Sequence, residues 1–250
     1  MRSPPTAPGR TSGSPEPDEV RITNFAASLS PDALAAMTRA GTQRSYSAGT
    51  VLLHQGDPSR HVLLIEKGWV KVTSTSRRGW EALLALRGPG DILGELSAVD
   101  GQPRLSTVTT LTGIEATILS AERFHACLAQ WPEIALSLLR QVTASLREAD
   151  GRRVEYGSSN GDDRLVVLLV ELLDKHGVET SDGVLLDLPL TQQDLAAAVG
   201  ASREVVARTL RVLRERRIAI TQRRRIVIVR PDLLRSLAGS VSMSTQHLWP

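Results

Sequence analysis

The chain has 250 residues, 30 basic and 27 acidic side chains and a net charge of +3, enough for two ordinary domains with no global charge bias. Its single cysteine, Cys127, excludes a disulfide framework or a multi-cysteine cluster within one chain. The five histidines (His54, His61, His125, His176, His247) show no metal-ligand spacing, and no apolar run approaches membrane-spanning length.

The first nineteen residues, MRSPPTAPGRTSGSPEPDE, are rich in Pro, Ser and Gly and lack an apolar h-region, so they read as a disordered tail and not a signal peptide. SPDALAAMTR (30–39) is a short helix with Pro31 in its first turn. From Arg44 to Leu119, β-rich runs such as TVLLHQ, HVLLIE, WVKVTST and EATILS alternate with turns at Gln55-Gly56-Asp57, Lys67-Gly68, Arg77-Arg78-Gly79 and Gly88-Pro89-Gly90-Asp91. Many short strands at regular spacing imply an all-β sandwich or barrel. AERFHACLAQW restores helical periodicity, with Cys127 as a core thiol.

A longer helix runs from Pro132 to about Tyr156. Along it Ala135, Leu139, Val142, Leu146, Ala149, Arg153 and Tyr156 alternate at spacings of four and three. This is a heptad seam, which suits a parallel coiled-coil dimer; the alternative is a helix packed only on its own domain. Gly157-Ser158-Ser159-Asn160-Gly161 is the expected hinge. Asp162 or Asp163 then caps a helix, DRLVVLLVELLDKH, closed by Gly177.

TQQDLAAAVGASREVVARTLRVL (191–213) has the grammar of a helix-turn-helix. Thr191 and Asp194 form a capping box, Gly200 supplies the turn, and Ser202 caps a second helix with Val206, Leu210 and Leu213 facing inward. Arg203, Glu204, Ala207, Arg208 and Arg211 face outward. Arginine forks onto guanine O6 and N7, and glutamate accepts from cytosine N4. Two core helices with a solvated arginine face would share this pattern. Strands at Ile218–Ile220 and Ile226–Val229, joined by Thr221-Gln222-Arg223-Arg224-Arg225, form a wing. From Arg203 to Arg235 eleven arginines face three acids, a local balance of +8 that leaves −5 elsewhere. Such asymmetry marks a phosphate-binding face on one domain. The terminal GSVSMSTQHLWP looks loose.

The expected architecture is α+β: a disordered tail (1–22), a β-domain (23–131), a dimerisation helix (132–157), a hinge (158–161), a winged helix-turn-helix (162–237) and a flexible tail (238–250).

That order, together with Gly94-Glu95-Leu96-Ser97, Pro103-Arg104 and Ser202-Arg203-Glu204 with Arg208, resembles the cyclic-AMP receptor protein/FNR (Crp/Fnr) family of bacterial transcription regulators from about Ser30 to Leu237. The resemblance implies a jelly-roll-like β-roll of the cyclic nucleotide-binding type. Its Gly94–Ser97 cassette would present backbone N–H groups to a phosphate, with Glu95 on a ribose hydroxyl and Arg104 on the phosphate. Leu105 stands where the family usually has a hydroxyl, with Ser106 and Thr107 following. Ala149 and Asp150 stand where the cyclic-AMP receptor protein sets Thr and Ser against adenine. The implied effector is a cyclic nucleotide, cyclic AMP or another; the alternative is a ligand-independent DNA-binding protein with a vestigial pocket in which Glu95 and Arg104 form a structural ion pair. No iron–sulfur cluster or haem is expected, because one cysteine cannot supply four thiolates and no axial ligand stands out.

At the DNA end, the resemblance implies a homodimer reading a two-fold, TGTGA-like double-stranded site through Ser202, Arg203, Glu204 and Arg208. Thr191 and Gln193 would touch phosphate from the first helix, and Arg223 and Arg224 from the wing. RNA polymerase is the further partner implied, with a cytoplasmic location and no membrane. Nothing in the chain suggests an enzyme: no nucleophile–base pair, metal spacing or P-loop is present.

Overall fold

The computed structural model describes residues 24–222 and 225–245. Helix α1 (Pro31–Ala40) opens on Ser30, whose hydroxyl accepts from the Ala33 N–H. Eight strands follow: β1 (Thr42–Tyr46), β2 (Val51–Leu53), β3 (Val62–Lys67), β4 (Val70–Thr75), β5 (Glu81–Arg87), β6 (Ile92–Leu93), β7 (Thr107–Thr110) and β8 (Ile114–Leu119). They form two four-stranded sheets, ordered β1-β8-β3-β6 and β2-β7-β4-β5, with antiparallel pairing throughout. The turn glycines Gly56, Gly68, Gly79 and Gly90 all take positive φ, the backbone their turns require.

Strand β3 shows how the roll is layered. Its run Val62-Leu63-Leu64-Ile65 is buried on both faces. Leu63 and Ile65 join Leu53, Val70, Leu93 and Val108 in a core drawn from both sheets. The short helix α2 (Glu95–Asp100) follows β6, and Val62 and Leu64 meet Met37, Phe124, Ile134 and Leu138, contributed by α1, by α3 (Ala121–Gln130) and by the start of α4 (Pro132–Ser158). A strand covered on both sides reads as a continuous apolar run. Ile134 and Leu138 thus dock the long helix on the roll from one side of the heptad seam.

Two features of the middle of the chain differ from expectation. The long helix α4 continues to Ser158, and α5 (Gly161–His176) starts at Gly161, so the predicted hinge contracts to Ser159 and Asn160. The cap of α5 is Asn160, not Asp162 or Asp163: its side-chain oxygen accepts from both of their N–H groups at 3.0 Å.

The C-terminal part packs one core from α5, α6 (Gln192–Val199) and α7 (Arg203–Glu215). Its sheet, ordered β11-β12-β10-β9, joins the wing strands β11 (Ala219–Gln222) and β12 (Arg225–Ile228) to β9 (Gly177–Thr180) and β10 (Gly183–Leu186), two strands the sequence reading missed. Gly183 has φ +127, and a Cβ there would stand 2.3 Å from the Ile228 carbonyl oxygen, so the pairing of β10 with β12 demands glycine. The last helix, α8, spans Pro231–Thr245, where a loose tail from 238 onward was expected. Residues 1–22, Arg223, Arg224 and 246–250, on which the terminal tails and the wing tip were placed, lie outside the described residues.

Candidate functional site

The helix-turn-helix is built as its sequence spells it. Thr191 accepts from the Asp194 N–H at 3.1 Å while the Asp194 carboxylate accepts from the Thr191 N–H at 2.9 Å, closing the capping box. Gly200 takes φ +60 and ends α6. The Ser202 hydroxyl accepts from the Val205 N–H and starts α7. Val206, Leu210 and Leu213 are buried, and Ser202, Arg203, Glu204, Arg208 and Arg211 are exposed. Gln193 is exposed and Thr191 half-buried beside the same surface. The Ser202 hydroxyl and the backbone N–H of Glu204 itself hold the Glu204 carboxyl below the usual range, so it is an acceptor at neutral pH. Arg208 is not free: Nη2 lies 2.6 Å from Asp162.

The second site is a cavity of about 640 Å³ on the β-roll. The cassette residues Gly94, Glu95, Leu96 and Ser97 line it, with Arg104, Leu105, Ser106 and Ala149. Asp150 does not. A helix turns about 100° per residue, so the wall that α4 offers is the stripe Gln141, Ser145, Glu148, Ala149, Arg152 and Tyr156, and Asp150 falls outside it. Of these only Ala149 was expected here; Gln141, Ser145, Glu148 and Arg152 were missed, and Tyr156 was placed only on the dimer seam, although their three- and four-residue spacing was a readable signal. Arg87 adds a second guanidinium to the lining, the rest is mostly apolar, with Leu53, Val72, Trp80, Leu83 and Val108, and Ala197, Ala198 and Gly200 close it from the helix-turn-helix.

Arg104 is 3% exposed and is already committed to the cassette. Nη1 donates to the Gly94 carbonyl at 2.8 Å, Nη2 to the His61 carbonyl at 2.6 Å and Nε to the Ser59 hydroxyl at 3.2 Å. None of these partners is a carboxylate. Gly94 has φ +79, and a Cβ there would meet Arg104 Nη1 at 2.5 Å, so glycine is what lets the guanidinium approach the backbone. Burial lowers the Arg104 pKa and raises that of Glu95. Burial is the larger effect on Arg104, and the nearby carboxylates of Asp57 and Glu95 oppose it. Leu105, in the position where a hydroxyl was looked for, is 65% exposed.

The two sites touch. The Lys71 ammonium on β4 lies 2.6 Å from Asp194 in the capping box of α6. Tyr156 at the end of α4 donates its hydroxyl to the Ala198 carbonyl. The Arg164 guanidinium stands 4.8 Å over the Tyr156 ring and donates to the carbonyls of Ser159 (2.6 Å) and Val199 (2.7 Å). Trp69 meets the His176 ring edge-on at 4.9 Å.

Residues 43–130 match the family of cyclic nucleotide-binding domains, and residues 163–237 match the Crp-like helix-turn-helix domain. The CRP-like cAMP-activated global transcriptional regulator of Mycobacterium tuberculosis is 31% identical over 182 residues, covering 73% of this chain and 81% of the relative. This chain belongs to the Crp/Fnr family of transcription regulators. The cyclic AMP receptor protein of Thermus thermophilus is 31% identical over 173 residues, covering 69% of this chain and 77% of its own. Among solved structures, the c-di-GMP responsive global regulator CLP of Xanthomonas campestris shares the fold with a TM-score of 0.70 at 22% identity, over 80% of this chain and 99% of that one. As a Crp/Fnr regulator the chain is a DNA-binding protein and not an enzyme. Its β-roll is of the cyclic nucleotide-binding type. Among the described residues no helix is long and apolar enough to cross a membrane.

Proposed function

We propose that this Crp/Fnr regulator acts in the cytoplasm as a homodimer that reads a two-fold, TGTGA-like DNA site. The observation that carries this reading is the division of α7 into a buried face (Val206, Leu210, Leu213) and an exposed one (Arg203, Glu204, Arg208). Arg203 and Glu204 on the first turn would meet base edges. Ser202 and Arg208 would complete the set that reads the half-site, and Thr191 and Gln193 would meet phosphate, joined by Arg223 and Arg224 from the wing. The α4 seam supports the dimer: Leu139 and Leu146 are 63% and 61% exposed on the single chain, which is costly for leucine on one stripe unless a second copy covers it. Two recognition helices in a competent dimer would stand about 34 Å apart, one turn of DNA. RNA polymerase is the further partner of such a regulator.

The cavity would hold a small anionic effector, a cyclic nucleotide such as cyclic AMP or a relative. Glu95 would accept from its hydroxyl, Arg104 would face its phosphate, and Gly94, Leu96, Ser97, Leu105, Ser106 and Ala149 would frame it. Residues from the roll, α4 and α6 all wall the cavity, so a ligand there would bias the relative placement of the parts it touches. A ligand-independent regulator is the second reading. It is favoured by the three protein acceptors already on Arg104 and by the absence of a hydroxyl at Leu105 and Ala149. Calorimetry of the full chain with cyclic AMP and cyclic GMP, paired with gel shifts with and without each nucleotide, separates the two. Saturable binding that tightens the DNA complex supports the effector reading; DNA binding of equal strength in its absence supports the second.

A further inference from the structure

The segment after the hinge and the recognition helix meet in one joint. Asn160 turns the chain into α5 and sets Asp162 on its first turn. Gly161 lies so close to the turn between α6 and α7 that a Cβ there would stand 2.9 Å from Ala201 Cβ and 3.2 Å from Val205 Cγ1. Inside this contact the Asp162 carboxylate faces α7. One oxygen accepts from Arg208 Nη2 at 2.6 Å, and the other accepts from the Thr209 hydroxyl. Thr209 is buried, and its hydroxyl also contacts the Val205 carbonyl at 2.9 Å, so it is a fixed post. The carboxylate is therefore held in place from behind while it holds Arg208 from the front. The Arg208 side chain remains 53% exposed, with one arm of its five-donor fork engaged.

We propose that Asp162 is a positioning residue that sets DNA sequence specificity through Arg208; this rests on the reading of Arg208 as a base-contacting side chain. By pinning one arm of the guanidinium from the hinge side, Asp162 presents the remaining donors in a set direction. A long, free arginine must surrender rotamer freedom on meeting a base, and one already held gives up less. A base pair that matches the presented donors is then favoured over one that needs the fork turned. Nothing in the linear sequence marks this contact, because its partners are 46 positions apart.

The test uses the full chain and the DNA site it selects from a random pool, with every single-base variant of one half-site. R208A should lose discrimination at one base pair. D162N, nearly isosteric, should lose about three- to tenfold in discrimination at that same base pair, the net scale of one ordinary hydrogen bond, and D162E should restore part of it. In the R208A background D162N should cost no further discrimination. Removing a negative charge beside DNA should also raise affinity for unrelated sequences alike in both backgrounds, a sequence-independent effect read separately. Unchanged or sharper discrimination in D162N, where R208A has lost it, overturns the positioning role and leaves the base-reading role standing. A D162N effect on discrimination that persists without Arg208 does the same. Equal loss by R208A on every sequence removes the base-reading role and the positioning role together. If D162N proves too unstable, D162S keeps an acceptor for Thr209 and is read on the same scale.

Discussion

Arginine does two different jobs here, and burial separates them. Arg104 is enclosed and braces the cassette, while Arg203 stands exposed on the first turn of α7 beside an ionised Glu204. Replacing Arg203 with alanine should cost about 1–3 kcal/mol of binding and relax specificity at one base pair. Competition binding across single-base variants checks this, and an equal loss on every sequence would remove Arg203 from base reading. Arg217 illustrates a cost of another kind. It ends α7 with φ +54, the left-handed region, where the Ile218 N–H returns to the Leu213 carbonyl at 2.9 Å. Glycine occupies this conformation without strain, so R217G should raise stability by about 0.5–1 kcal/mol in urea unfolding. A loss of stability there would mean that the Arg217 side chain contributes more than its backbone costs.

Helices and strands are the scale at which the parts are joined. The α4 stripe of Leu139, Val142 and Leu146 lies exposed on one chain, and two leucines replaced by aspartate (L139D/L146D) should shift the protein to monomer in sedimentation experiments with its thermal unfolding still cooperative. A dimer that survives both changes would place the interface elsewhere. The join between β4 and α6 is ionic. Burial alone would raise the Asp194 pKa, but the Lys71 ammonium and the hydrogen bonds from Thr191 outweigh it, and the net shift is downward. A carboxylate with a depressed folded-state pKa binds its proton more readily in the unfolded chain. Its contribution is therefore present above pH 4 and is lost as pH falls through the folded pKa. D194N should destabilise the protein by about 1–3 kcal/mol at pH 7, the worth of a cap plus a charged hydrogen bond. The gap between the two proteins should close below pH 4. A gap of the same size at pH 3 would show that the effect is packing and not charge.

For the whole molecule, what the sequence could tell depended on how local the signal was. Thr191, Asp194, Gly200 and Ser202 lie within twelve positions and each acts on its near neighbours, so the helix-turn-helix was legible in full. The layered roll was legible as alternating runs and turn glycines, and the seam as a period. Strands β9 and β10 were missed although GVETSDGVLL folds back on itself about Ser181-Asp182-Gly183, a local hairpin signal; only the join of β10 to Ile226–Ile228, some forty residues on, is long-range. The Lys71–Asp194 pair and the bond from Arg164 to the Val199 carbonyl are of the same long-range kind: each is a contact between segments that no local pattern links. Placing the hinge at five residues overestimated it because Gly157 is accommodated in the last turn of α4 and Gly161 opens α5. These same long-range contacts tie the cavity, the long helix and the DNA-reading helix into a continuous set.

Selection of DNA by the full chain from a random pool, followed by sequencing, tests the central claim most directly. The expected outcome is an enriched motif with two-fold symmetry, its half-sites one helical turn apart, which degrades at a defined position when Arg203 is replaced. Retention of DNA with no enriched sequence, or an enriched motif indifferent to Arg203, Glu204 and Arg208 alike, would contradict it.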